Sequence, residues 1–161
     1  MARILLALVF AIGALFGQST TVILVRHAER ASSQMSGEDL GLNAAGKKRA
    51  EELALMLRDA NVQAIYTSDA LRTIQTAEPL AQRLNLTPRK ITDVNALVKD
   101  LKAHPNRTVL IVHHSNSLPL IMKGLGIAAP PSISDTQYDY MFVVTIDMHD
   151  DATLLTLHYD D

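Results

Sequence analysis

Cysteine does not occur among the 161 residues. Disulfides, thiolate metal sites and a cysteine nucleophile are therefore excluded. Tryptophan is absent too, and aromatic residues make up only 4%, which argues against a platform for stacked bases. Neither sign of charge dominates: 15 Lys and Arg stand against 17 Asp and Glu, a formal net charge of −2. A chain without a basic excess lacks the electrostatic footprint of a non-specific nucleic-acid binder. Internal repeats, low-complexity tracts and interdomain linkers are also missing. What remains is an ordinary globular composition, 48% apolar and 20% charged, with enough chain for one domain and a sizeable core.

The first 19 residues stand apart. Arg3 precedes an apolar run from Ile4 to Phe16, and small residues follow. Gly17 and Ser19 would occupy the −3 and −1 positions of cleavage after Ser19, the order expected of a secretory signal. The run falls short of the roughly 20 apolar residues that span a bilayer. Residues 1–19 are therefore expected to be a signal peptide and 20–161 the mature domain, exported to the periplasm or beyond. A retained membrane anchor is the alternative. Removal leaves no other membrane contact, and nothing in the composition fixes an oligomeric state.

Past the leader, Thr21–Val25 is apolar and β-branched, as in a strand covered on both faces. Asn43 can cap a helix running to about Asp59, with Ala50, Leu53, Ala54 and Leu57 as its inner stripe. Lys47-Lys48-Arg49 reads as part of its wet side. Val62–Thr67 is a second strand. Ser68 or Asp69 should then cap a helix whose Leu71, Ile74, Ala77, Ala81 and Leu84 face inward. Pro79 should kink or split that helix. A short strand within 85–93, a helix over Val94–Ala103, a strand over Thr108–Val112 and a helix from about Ser117 to Gly124 follow. Met141–Ile146 and Ala152–His158 form an antiparallel hairpin around Asp147–Asp151. The order implies a three-layer α/β/α fold, its sheet mostly parallel with an antiparallel edge strand.

Polar groups interrupt the apolar pattern at equivalent places. Arg26-His27 follow the first strand, His113-His114 follow the Thr108–Val112 strand, and Arg72 opens the helix after the second strand. Ligands of open α/β sheets bind outside the carboxyl ends of strands. Two imidazoles and two guanidiniums can therefore converge there. The arginines present planar forks that match phosphate oxygens, and such cations argue against a bound metal ion. Adjacent His113 and His114 also point to opposite sides of an extended chain, so one metal ion would seldom use both. A neutral imidazole can attack phosphorus, and nearby cations favour that neutral form. His104, His149 and His158 lack such surroundings and read as surface residues.

These segments resemble a known family. Val25-Arg26-His27-Ala28-Glu29-Arg30 is similar to the Arg-His-Gly signature of the histidine phosphatase superfamily, the phosphoglycerate-mutase-like fold. Tyr66–Thr73 with Gln75-Thr76-Ala77 resembles its second arginine motif, and Val112–Ser117 its Gly-His-Ser-Asn motif. The spacing resembles the short branch. The resemblance implies His27 as the phosphorylated nucleophile, Arg26 and Arg72 as phosphoryl-binding groups, and His114 as the group completing the pocket. Arg30 would touch substrate at the rim, with help from Ser115 and Asn116. Ala28 and His113 stand where the family commonly has glycine. The proton donor to the leaving group has no motif; Asp93 is the first candidate, Asp135 and Glu29 the runners-up.

The expectation is a metal-independent, cofactor-free phosphatase that acts on small phosphate monoesters or phosphoramidates through a phosphohistidine at His27. A cytoplasmic location would favour protein phosphohistidine as substrate. The missing acid and the His113 replacement leave a phosphate-ester-binding pseudoenzyme as the alternative.

Overall fold

The computed structural model describes residues 19–32 and 39–159. The expected leader therefore lies outside the described residues except for Ser19. Strands β1 (Thr20–Arg26), β2 (Val62–Thr67), β3 (Arg89–Lys90), β4 (Thr108–His113), β5 (Tyr140–Ile146) and β6 (Ala152–His158) alternate with helices α1 (Ala44–Leu57), α2 (Leu71–Leu84), α3 (Val94–Ala103) and α4 (Leu118–Gly124). They form one six-stranded sheet in the order β3-β2-β4-β1-β5-β6. The first four strands are parallel; β5 runs antiparallel to β1, and β6 antiparallel to β5.

Alternating strand residues feed two cores, as the period of two requires. Ile23, Val25, Ile65, Leu110, Val112 and Met141 pack against Leu53, Ala54 and Leu57 of α1 and Ala77, Leu80 and Ala81 of α2. Val22, Leu24, Tyr66, Val109, Ile111, Phe142 and Val144 pack on the other side, against Leu97 and Leu101 of α3 and Leu118, Ile121 and Met122 of α4. The expected three layers are thus formed. The chain leaves β1 toward the α1 layer and leaves its neighbour β4 toward the α4 layer. The two connections part at the carboxyl ends of adjacent strands, and this divergence opens a crevice there.

Local chemistry sets the element ends. Asn43 caps α1, its side chain accepting from the Gly46 N–H at 2.8 Å. Gly46 is buried where α1 crosses the chain after β1, and a Cβ there would lie 2.2 Å from the Glu29 carbonyl oxygen. The α2 start differs from expectation. The helix begins at Leu71 behind Ala70, and the Leu71 N–H is taken by the distant Asp39 carboxylate at 2.8 Å. Ser68 instead accepts from the Ala70 N–H within the turn. The inner face is rotated accordingly: Thr73, Thr76, Ala77, Leu80 and Ala81 are buried, whereas Leu71 is exposed. Pro79 leaves α2 unsplit; the helix ends at Asn85, which takes a left-handed conformation with φ 52°. Left-handed Asn is a common helix stop.

Two further expectations are corrected. Arg49 is not a solvated cation: it pairs with Glu29 at 2.9 Å, and its side chain is largely buried. Asp93 is the N-cap of α3, accepting from the Ala96 N–H at 2.7 Å. Its exposed carboxylate thus takes one of the orphan donors of that helix.

Two stability predictions follow from these contacts. Gly46→Ala gains about 1 kcal/mol of helix propensity, but backbone overlap with Glu29 outweighs it. The variant should unfold at lower urea, with a net loss of about 1–3 kcal/mol. Asp93→Ala should cost about 1 kcal/mol in the same assay, and Asp93→Asn, an equally good cap, should cost almost nothing.

Candidate active site

The crevice is a cleft of about 510 Å³ lined by Arg26, His27, Arg30, Arg72, His114, Ser115, Asn116, Asp135 and Tyr138. Parallel pairing of β1 with β4 builds its floor. Arg26 lies opposite His113 in the register, and the next amide, His27 N–H, donates to the His113 carbonyl at 2.9 Å. His27 and His114 thereby leave adjacent strand ends with ring centroids 5.4 Å apart. A larger cleft, about 700 Å³, sits at the other end of the sheet around Thr20 and Gly126; it holds no imidazole.

Hydroxyl groups of α2 and its approach anchor the floor. The Ala28 N–H donates to Thr76 Oγ1 at 2.9 Å, and Thr76 in turn donates to the Arg72 carbonyl. The His27 ring is oriented by its own backbone: Nδ1–H donates to the Ala28 carbonyl at 2.8 Å. A carbonyl only accepts, so Nδ1 must carry the hydrogen and Nε2 keeps its lone pair. His114 is held by both nitrogens. Arg72 Nη2 donates to Nδ1 at 3.4 Å, which leaves Nε2–H to donate to Ser68 Oγ at 2.9 Å. Ser68 passes its own hydrogen to Thr73 Oγ1, and Thr73 donates to the Ala70 carbonyl. Every member of this chain is satisfied, so the ring has one orientation.

The electrostatics follow from burial beside cations. Desolvation holds His27 at about 4 instead of 6.5, reinforced by Arg26, Arg72 and His114 and opposed by the Ala28 hydrogen bond. Desolvation holds His114 at about 4 as well, with Arg72 and His113 adding to it. Both imidazoles are neutral at neutral pH.

The cations are positioned differently from each other. Arg72 carries a loose ion pair with Asp39 at 3.6 Å and turns its other nitrogen to His114. Arg26 is largely buried. Its Nη1 donates to the Ser134 and Gln137 carbonyls at 2.8 and 3.2 Å, and Asp135 lies 3.8 Å from Nη2. The Tyr138 ring covers its face, 4.2 Å from guanidinium carbon to centroid. Segment 134–138 therefore fixes Arg26 through Nη1 and its ring face, while Nε and Nη2 make no hydrogen bond among the described residues.

The predicted site residues thus separate clearly. Arg26, His27, Arg72 and His114 line one cleft, with Arg30, Ser115 and Asn116 at its wall and rim. Asp93 caps α3 and is absent from the lining; Glu29 is consumed by Arg49. Asp135 is the carboxylate of that lining, and its side chain is 94% exposed. His113 is buried beneath the cleft rather than lining it, with Nδ1 on Ser117 Oγ and Nε2 near the Ile91 carbonyl. Among the described residues no group of side chains forms a metal site. The sequence reading missed Tyr138, Ser68, Thr73 and Asp39. The three last carried a faint sign, hydroxyls and a carboxylate flanking a helix start; Tyr138 in a long irregular loop carried none.

Known proteins share a stretch of this sequence and its fold. Residues 22–96 match the sequence model of the histidine phosphatase superfamily, branch 1; that stretch contains Arg26, His27, Arg30 and Arg72. No curated protein sequence matches the chain. Among solved structures, the chain is similar to the protein histidine phosphatase SixA complexed with tungstate, at 21% identity and TM-score 0.72, over 86% of this chain and 96% of that one. It is similar to the mycobacterial glucosyl-3-phosphoglycerate phosphatase, at 16% identity and TM-score 0.69, over 88% and 100%. It is also similar to a phosphoserine phosphatase from Entamoeba histolytica solved with 3-phosphoglyceric acid, at 16% identity and TM-score 0.68, over 88% and 98%. These likenesses carry the fold, and the matched motifs carry the family. Residues 22–96 thus match the histidine phosphatase superfamily, branch 1, and the chain as a whole has the fold of these solved phosphatases.

Proposed function

We propose that the chain is a metal-independent phosphatase that works through a phosphohistidine at His27. The observation that carries this reading is the tautomer lock at the cleft floor: Nδ1–H is held by the Ala28 carbonyl, leaving Nε2 unprotonated among arginines. A phosphoryl group in the cleft meets Arg72, Arg26 Nη2 and His114. His27 Nε2 attacks phosphorus, the N–P bond forms as the bond to the leaving group breaks, and the departing atom takes the electron pair and is then protonated by solvent water. Water then attacks phosphorus, the N–P bond breaks, and inorganic phosphate leaves. Stabilisation comes from fixed donors aimed at the equatorial oxygens. A bound dianion also supplies the negative charge that ligand-free His114 lacks, which favours proton uptake at its Nδ1 and a further hydrogen bond to phosphate.

One observation favours a narrower substrate class. The carboxylate of the described lining, Asp135, is exposed and faces Arg26, a poor setting for a carboxylic acid that must stay protonated. Leaving groups that depart easily, such as the nitrogen of a phosphoramidate or an aryl oxygen, suit this cleft better than an alkyl alcohol. The likeness to a protein histidine phosphatase supports the same reading. The leader-like residues 1–19 support an exported enzyme, processed after Ser19.

Phosphate release should be measured with chelator present on an aryl phosphate, sugar phosphates and a phosphohistidine peptide. Turnover should disappear in His27→Ala. Unchanged activity in that variant removes His27 as nucleophile; a folded wild-type chain that binds phosphate without any turnover is a binding protein instead.

The neutral imidazoles also predict the pH response. Unfolded histidine binds protons near 6.5, whereas folded His27 and His114 wait until about 4. The unfolded state therefore takes up more protons between these values, and stability falls as pH drops from 6.5 towards 4. Urea midpoints should decline over that window. NMR titration should show both rings neutral at pH 6; protonation of both at 6.5 contradicts this account.

A further inference from the structure

The buried imidazole of His113 has no part in the chemistry proposed above, yet it packs directly against the ring of His114. We propose that His113 is a positioning residue that sets His114 through the hydroxyl of Ser117; the inference rests on reading His27 and His114 as the phosphoryl-transfer pair. His113 ends β4 and is 1% exposed. Its backbone carbonyl takes the His27 N–H. Its Nε2 faces the Ile91 carbonyl at 3.4 Å, so that nitrogen carries the hydrogen and Nδ1 is left to accept. The Ser117 hydroxyl donates to Nδ1 at 2.5 Å, and Ser117 Oγ accepts the His114 N–H at 3.1 Å.

The orientation of this hydroxyl matters. Ser117 has one hydrogen and two acceptors in reach, His113 Nδ1 and the His114 carbonyl at 3.1 Å. That carbonyl already accepts the Ser117 and Leu118 N–H groups that close the turn into α4. With the hydrogen drawn to His113, a Ser117 lone pair faces the His114 amide. The His113 ring also packs edge-on against the His114 ring, centroids 5.2 Å apart at 79°. His114 is thus supported from below by His113 and fixed from the sides by Ser68 and Arg72. A glycine at this position, as the resembling motif has, would supply neither the acceptor nor the ring.

The test compares His113→Leu, which keeps bulk without an acceptor, with His113→Asn, which keeps an acceptor near Nδ1. With an aryl phosphate, His113→Leu should lower kcat about tenfold with KM changed less than about twofold, and His113→Asn should recover most of that loss. Orthovanadate, which adopts transition-state geometry, should bind His113→Leu about tenfold more weakly while inorganic phosphate binds within about twofold. A folded His113→Leu with unchanged kcat and vanadate affinity overturns the proposal, as does a His113→Asn no better than it. If His113→Leu does not fold, Ser117→Ala cuts the same contact and must reproduce the kcat and vanadate losses. The vanadate comparison needs no turnover, so a catalytically silent wild-type chain refutes the phosphatase reading while His113 is still judged.

Discussion

The parallel pairing of β1 with β4 is the constraint on which the site depends. Their register sets Arg26 beside His113, and one backbone hydrogen bond from His27 to the His113 carbonyl fixes where each chain leaves the sheet. Because α1 and α4 lie on opposite faces, the two connections separate at once and leave room between them. The same divergence brings residues 27 and 114 within one ring contact of each other. Slipping this pairing by one residue would turn Val22, Leu24, Val109 and Ile111 out of register with their cores. Core packing and site geometry are therefore secured by the same hydrogen bonds.

Around that frame, hydroxyl groups do what larger residues could not. Thr76, Ser68, Thr73 and Ser117 are buried, small, and able to donate and accept together. They satisfy the amides of the turns after β1, β2 and β4 while steering ring nitrogens that would otherwise rotate. A buried polar chain of this kind has value only when every member is paired, and from Ala70 through Thr73 and Ser68 to His114 it is. The rotated face of α2 has its reason here: buried threonines serve the site where leucine would serve only the core.

The electrostatic arrangement pulls in one direction. Burial, with Arg72 and Arg26 adding to it, keeps His27 and His114 neutral, and Asp135 and Asp39 give only loose compensation at 3.8 and 3.6 Å. An entering phosphoryl dianion would supply the missing charge and displace those weak partners. Arg26 is not a free fork, however. Two carbonyls and a tyrosine face determine which of its donors reaches the cleft.

The sequence by itself determined the layered sheet, the approximate helix spans apart from the start and inner face of α2, and the placing of Arg26, His27, Arg72 and His114 beside strand ends. Those follow from local periodicity, from caps such as Asn43, and from polar pairs at strand ends, all of which lie within a few residues of one another. It could not reveal that Asp93 serves a helix end, since a carboxylate before an apolar run suits either role until its neighbours in space are known. It could not pair Arg49 with Glu29, or carry Asp39 to the start of α2 and Tyr138 onto Arg26. Those contacts join residues 20 to more than 100 positions apart across irregular loops. Loop conformation is set by tertiary packing rather than by local preference, and only the folded chain decides it.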